Sequence, residues 1–189
     1  DLGSSEYVHH GLGSATVEDT WVTVVRDLRA DLAEAQPDIA ILEVNGFLLR
    51  GSGRIDDIRL ESSLPVTVYA DAEDGEQSGW DVYDNNPSGA AVASVYDAQR
   101  GSQVIETTGS RRRNGFRLRN PDLSSWANSS EKIIQWSMLF SEPYRIYVDV
   151  ETTVGQRYLT YEPQVSSSQN GDEYIYYGLG SGTYAGQWV

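Results

Sequence analysis

The chain has 189 residues, enough for one domain with a proper hydrophobic core and too few for two. A formal charge of −14, with Lys132 as its single lysine, argues against a nucleic-acid partner, because phosphate backbones are bound by clustered lysine and arginine. Cysteine is absent, which removes disulfides and thiol catalysis together, and apolar stretches of four or five residues fall far short of the roughly 20 that span a bilayer.

The chain opens and closes on one element. Residues 6–22, EYVHHGLGSATVEDTWV, return as residues 173–189, EYIYYGLGSGTYAGQWV, with nine of seventeen positions identical and a constant offset of 167. A gapless repeat at the period of about one domain reads as a window cut from a tandem array. On this reading residues 1–60 close one repeat, 61–68 are a linker and 69–189 open the next. Together they make about one domain, which either closes on itself or is completed by a neighbouring subunit. Glu6, Tyr7 and Trp21, with their counterparts Glu173, Tyr174 and Trp188, mark the element that two units would exchange.

After the first copy, Thr20 to Val25 alternates as a strand. A short helix follows, with Leu28 and Leu32 on one face and Pro37 closing it. The apolar runs 39–49 and 55–60, separated by Arg50-Gly51-Ser52-Gly53, predict a terminal β-hairpin. From Val66 the second part opens with VTVYADAEDG, then residues 79–83 and the turn 84–87, and further strands are predicted at 91–96, 103–107, 115–119, 131–140, 144–153 and 156–161. Ile134, Trp136, Met138 and Phe140 share one face, as do Ile146, Val148 and Val150, while Tyr147, Asp149 and Glu151 point the other way. One buried and one wet face per strand, with abundant glycine and aromatics, gives the fold class: all-β, a jelly-roll-like antiparallel β-sandwich of roughly ten strands with one short helix.

The stretches GWDVYDNNPSGA, VYDAQRGSQVIETTG, NGFRLRN, SSEKIIQWSMLFSEPYRIYV and FLLRGSGRIDDIRL resemble a β-sandwich repeat of very large secreted proteins of marine bacteria, in which GWDVYD comes first and RGSGRIDDI last. Here that order is permuted. The likeness spans almost the whole chain and implies a secreted or cell-surface setting among calcium-binding and adhesive modules. It is also similar to non-catalytic carbohydrate-binding sandwiches that hold calcium between an acidic opening strand and an aspartate near the end. By that resemblance Asp71, Glu73 and Asp74 would meet Asp56 or Asp57 around Ca2+, whose demand is six to eight oxygens.

Other constellations follow from the residues themselves. Arg111, Arg112, Arg113, Arg117 and Arg119 put five of the fourteen basic residues into nine positions, a local inversion of charge. Around Asn114-Gly115 they are expected to crown a hairpin tip, contacting an acidic polysaccharide or a neighbouring subunit, or else forming surface ion pairs worth little each. Trp80, Trp126, Tyr176 and Tyr177 are candidate stacking platforms for sugar rings, and Tyr144, Tyr147, Tyr158, Tyr161 and Tyr174 extend that set where they face solvent. His9 and His10 beside Tyr7 suggest a lyase, but the second copy carries Tyr176 and Tyr177 at those positions. The leading expectation is therefore a non-catalytic extracellular repeat assembling head to tail with other copies of itself, stabilised by calcium. The alternative is a carbohydrate-binding module for a neutral or anionic polysaccharide, and a polysaccharide lyase ranks third.

Overall fold

The structure is a computed structural model that describes residues 6–13, 16–61, 67–126, 133–141, 144–162, 170–171 and 174–178, with the backbone alone at 61, 67, 111, 170–171 and 174–178. In chain order the elements are β1 (Tyr7–Gly11), β2 (Val22–Asp27), α1 (Leu28–Ala35), β3 (Ile41–Arg50), β4 (Gly53–Glu61), β5 (Thr67–Ala70), β6 (Trp80–Asp84) and β7 (Ala91–Asp97). They continue as β8 (Ser102–Thr108), a 3-10 turn (Arg111–Arg113), β9 (Gly115–Leu118), β10 (Ile133–Phe140), β11 (Arg145–Thr152), β12 (Gly155–Glu162), β13 (Asn170–Gly171) and β14 (Tyr174–Gly178).

Two sheets face each other. The larger runs β13-β14-β1-β12-β11-β3-β9-β6, and the smaller runs β2-β10-β4-β8-β7 with β5 on β4. Every strand pair is antiparallel except those of β1, which lies parallel to both β12 and β14. Elements preceding residue 61 and elements following residue 67 intermix in both sheets, so the described sandwich is built within one chain.

The predicted inward faces form the core. Ile134, Trp136, Met138 and Phe140 from one sheet, and Ile146, Val148 and Val150 from the other, are all buried, with Phe47 packed edge-on to Trp136 at 5.5 Å. The predicted helix also forms. Asp27 caps it by accepting hydrogen bonds from the amides of Arg29 (3.0 Å) and Ala30 (3.1 Å), and Leu28, Leu32 and Ala35 are buried. It touches β1, β2, β10 and β12 and so closes one end of the sandwich.

The predicted terminal hairpin does not form. β3 pairs with β11 and β9, whereas β4 pairs with β10, β8 and β5. The turn at 51–52, with Gly51 at φ 121°, carries the chain from one sheet to the other. Both strands are apolar enough to be interior strands, and parting lets β3 lie between β11 and β9 in one sheet and β4 between β10 and β8 in the other.

Candidate functional site

The duplicated element comes together in space. β1 and β14 pair His9 with Tyr176, His10 with Tyr177 and Gly11 with Gly178, the same offset of 167 that relates the two copies in sequence. On its other side β1 pairs residue by residue with β12, from Tyr7 opposite Tyr158 to Gly11 opposite Glu162. The Leu12 amide donates to the Glu162 carbonyl at 2.5 Å and the Tyr158 amide to the Glu6 carbonyl at 2.8 Å, fixing both ends of the register. Val8, His9, His10 and Leu12 are buried, so the first copy is an interior strand and not an appended tail. Glu173 and Trp188 lie outside the described residues, and Trp21 is half-buried, with the Arg100 guanidinium 5.3 Å above its ring.

His10 stacks on Tyr161 at 5.5 Å, against a buried network in which Arg26 donates through Nε to Asp31 Oδ2 at 2.8 Å and Tyr161 donates its hydroxyl to the same oxygen at 2.7 Å. Burial lowers His10 to about 4, with the Arg26 charge adding to the effect and Asp31 opposing it, and lowers His9 to about 3 with help from Arg145. Between about pH 6.5 and 4 the unfolded chain takes up protons on these imidazoles while the folded chain does not. Their contribution to stability therefore falls as pH drops through that window, by at most about 2.7 kcal/mol per pH unit for two protons. Buried Asp56 and half-buried Asp149, both raised above the ordinary carboxylate value by loss of solvent, work in the opposite direction at acid pH, so the imidazoles themselves are the clean readout. Imidazole NMR signals of both histidines should stay in the neutral form at pH 5; titration of either with a midpoint near 6.5 would contradict their burial.

The second feature is a cleft of about 430 Å³ on the outer face of the larger sheet. Tyr7, Tyr158, Tyr147 and Arg145 from adjacent strands line it, with Arg50 from β3, Tyr83 from β6 and Arg112 from the 3-10 turn. Alternation explains why these side chains face outward: their neighbours Val8, Leu159, Ile146, Val148 and Leu49 are fully buried. Tyr7 stacks on Tyr158 at 4.9 Å, and Tyr147 meets both edge-on at 6.2 and 6.4 Å. Tyr83 lies between the guanidiniums of Arg50 and Arg117, at 5.5 and 5.6 Å, and its ring packs where a Cβ on Gly115 would collide with it. Arg50 also donates to Asp84 at 2.9 Å and to the Arg113 carbonyl at 2.9 Å. Buried Glu162 accepts from Arg145 and, at 3.4 Å, from Arg112.

The arginine cluster is arranged differently from the expectation. Residues 111–113 form the 3-10 turn on a crossover from the smaller to the larger sheet, with no hairpin there, because β8 and β9 belong to different sheets. Asn114 is buried and donates through Nδ2 to the carbonyls of Pro87 (2.7 Å) and Asp84 (3.3 Å), which occupies the side chain that a tight Asn-Gly turn would leave exposed. Arg117 and Arg119 both pair with Asp81, at 2.6 and 3.7 Å. The Arg111 side chain lies outside the described residues.

Trp80 and Trp126 are not platforms either. Trp126 is 1% exposed and stacks on Tyr69 at 3.9 Å, and Trp80 is 9% exposed in the core cluster. Tyr144 and Tyr161 are buried as well. Tyr176 and Tyr177 lie on β14, whose backbone alone is described.

The acidic residues divide into two places. Asp56 and Asp57 meet Arg100, at 2.8 and 2.5 Å, and Arg100 also reaches Ser137 Oγ at 3.2 Å. Two successive strand residues reach one guanidinium because a β-bulge sets Asp57 and Ile58 opposite Trp136 alone, with Asp57 at φ 54°. Asp71 and Asp74 instead accept the amides of Glu73 (3.3 Å) and Glu76 (2.8 Å) in their own turn. Among the described residues no group of three or more histidine, aspartate or glutamate side chains is placed to hold a metal ion.

Arg50, Tyr83 and Arg145 were missed by reasoning from the sequence, although alternation with buried Leu49 and Ile146 and partly buried Val82 puts all three on the outer face. Their convergence depends on which strands are neighbours. Comparison with family models, curated proteins and solved structures finds no match for this chain.

Proposed function

We propose that the chain is a non-catalytic structural repeat of a secreted or cell-surface protein, and that its duplicated element joins units head to tail by strand exchange. The observation that carries this reading is the in-register pairing of the two copies beside β12. The place next to β12 takes one parallel strand, and the chain carries two segments sharing Glu-Tyr, Gly-Leu-Gly-Ser and Trp-Val at matching positions. One copy completes its own sheet, and the other is offered to the next unit, adding ladder hydrogen bonds to an open edge. Such an interface is heterologous and propagates unless it closes into a ring. A non-catalytic role is supported by the burial of both imidazoles, at 0 and 1% exposure, which keeps them from touching a substrate.

Light scattering after size exclusion tests the joint. The mass is expected to rise with concentration in steps of the 20.9 kDa chain. Tyr176→Pro, which removes a ladder donor from β14, is expected to abolish the larger species while leaving the thermal midpoint of the sandwich in place. A chain that stays monomeric at every concentration would refute strand exchange.

A further inference from the structure

We propose that the tyrosine and arginine cleft on the outer face of the larger sheet is a binding site for an acidic oligosaccharide, a sugar chain carrying carboxylate or sulfate groups. Its size fits: about 430 Å³ lies within the range of sites that enclose one or two sugar rings' worth of ligand. Its charge is unusual for this chain. Arg50, Arg112 and Arg145 line it together and no acidic residue does, on a protein whose formal charge is −14; Glu162 and Asp84 pair with these arginines, and Glu6 and Asp149 act on Tyr158, from outside the lining. Long-range repulsion by the acidic surface makes such a cleft selective for a ligand that brings stacking surface together with its anion, and disfavours a bare anion.

The tyrosines supply that surface. Tyr7, Tyr158 and Tyr147 meet one another by stacking and edge contacts, and partly exposed Tyr7 and Tyr158 present ring faces and hydroxyls to the cleft. A pyranose ring offers C–H groups to an aromatic face and hydroxyls to its polar edge. The anion has a donor waiting. The Arg112 side chain is 44% exposed and holds Glu162 only at 3.4 Å, a long contact that an incoming carboxylate or sulfate can replace with a shorter charge-assisted bond. Glu162 keeps Arg145 when this happens. Arg50, fixed by Asp84, the Arg113 carbonyl and the Tyr83 ring, lends its charge from the cleft wall. Tyr7 belongs to the duplicated element, and its counterpart is Tyr174, so either copy would bring a tyrosine to this position. The cleft itself is assembled within one chain and does not depend on exchange between units.

Titration of isotopically labelled protein with tetragalacturonate, a heparin-derived tetrasaccharide and cellotetraose, followed by NMR and calorimetry, decides the matter. The expected result is binding of one or both acidic tetrasaccharides, weakened by salt. The largest signal changes should fall on Tyr7, Tyr147, Tyr158 and Arg112, with little response to the neutral sugar. The two acidic arms distinguish carboxylate from sulfate. Arg112→Gln, at an exposed position that spares the core, is expected to weaken the acidic ligand about tenfold, the loss of one charge-assisted hydrogen bond. Binding of neither acidic sugar, equal binding of the neutral one, or signal changes outside the cleft would each overturn the proposal. Release of an unsaturated uronate, seen by its ultraviolet absorbance, would leave the binding site standing and refute the non-catalytic function instead.

Discussion

Asp31→Ala is expected to lower the unfolding free energy by about 3–5 kcal/mol in urea titrations, the cost of removing one partner from a buried ion pair. The Asp31 side chain is 6% exposed and its Arg26 partner 12%. Without the carboxylate the guanidinium keeps its charge in a place from which water is excluded, and the buried Tyr161 hydroxyl loses its acceptor. Asp31→Asn is expected to be nearly as damaging, since an amide accepts the tyrosine proton but does not neutralise Arg26. Replacing the pair together, Arg26→Met with Asp31→Leu, should recover most of the loss, because the desolvation cost disappears with the charge. An Asp31→Ala protein within about 1 kcal/mol of the parent would show that the pair is not desolvated. The consequence reaches the duplicated element. Asp31 sits on the helix face that covers His10, and β1 amides should exchange faster with solvent in the variant than those of β10.

Arg100→Met is the second large effect, at about 3 kcal/mol or more at pH 7. Arg100 is the cation shared by Asp56 and Asp57, and Asp56 is 4% exposed. The sign of its pH dependence differs from that of the histidines. Burial already holds Asp56 above the ordinary carboxylate value against the pull of Arg100, and removing Arg100 raises it further. The folded variant then binds a proton at a pH where the unfolded chain remains ionised. Its stability relative to the parent should therefore improve as pH falls from 7 towards 5, reversing part of the deficit. Denaturation curves of both proteins at the two pH values check this, and a gap that stays constant or widens would contradict the assignment of the deficit to Asp56.

The strands and their buried faces were readable from the chain because a period of two in hydrophobicity is a local property. The runs that include Ile134 to Phe140 and Ile146 to Val150 are buried as their alternation predicts. The short helix was readable for the same reason, from a spacing of four between Leu28 and Leu32 and the closing Pro37. The duplicated element was plain as a repeat, with its offset of 167, but nothing in either copy says that they lie side by side.

What the chain did not disclose is everything that depends on which strand neighbours which. Residues 41–50 and 53–61 look like two arms of a hairpin and lie in different sheets, because apolar alternation says which face is buried and not against what. The same dependence on pairing left Arg100 unread as the partner of Asp56 and Asp57, since a one-residue bulge and a strand pair turn both onto it. It also hid the cleft, whose tyrosines and arginines are separated by up to 151 positions in sequence, from Tyr7 to Tyr158, and adjoin only across parallel and antiparallel ladders. Sequence alone determined an acidic, cysteine-free, all-β chain with a repeated terminal element, since composition, periodicity and self-similarity need no third dimension. The tertiary structure decided the strand order, the partners of the buried charges and the location of the cleft, since hydrogen-bond registry and desolvation are set between segments that the chain itself holds far apart.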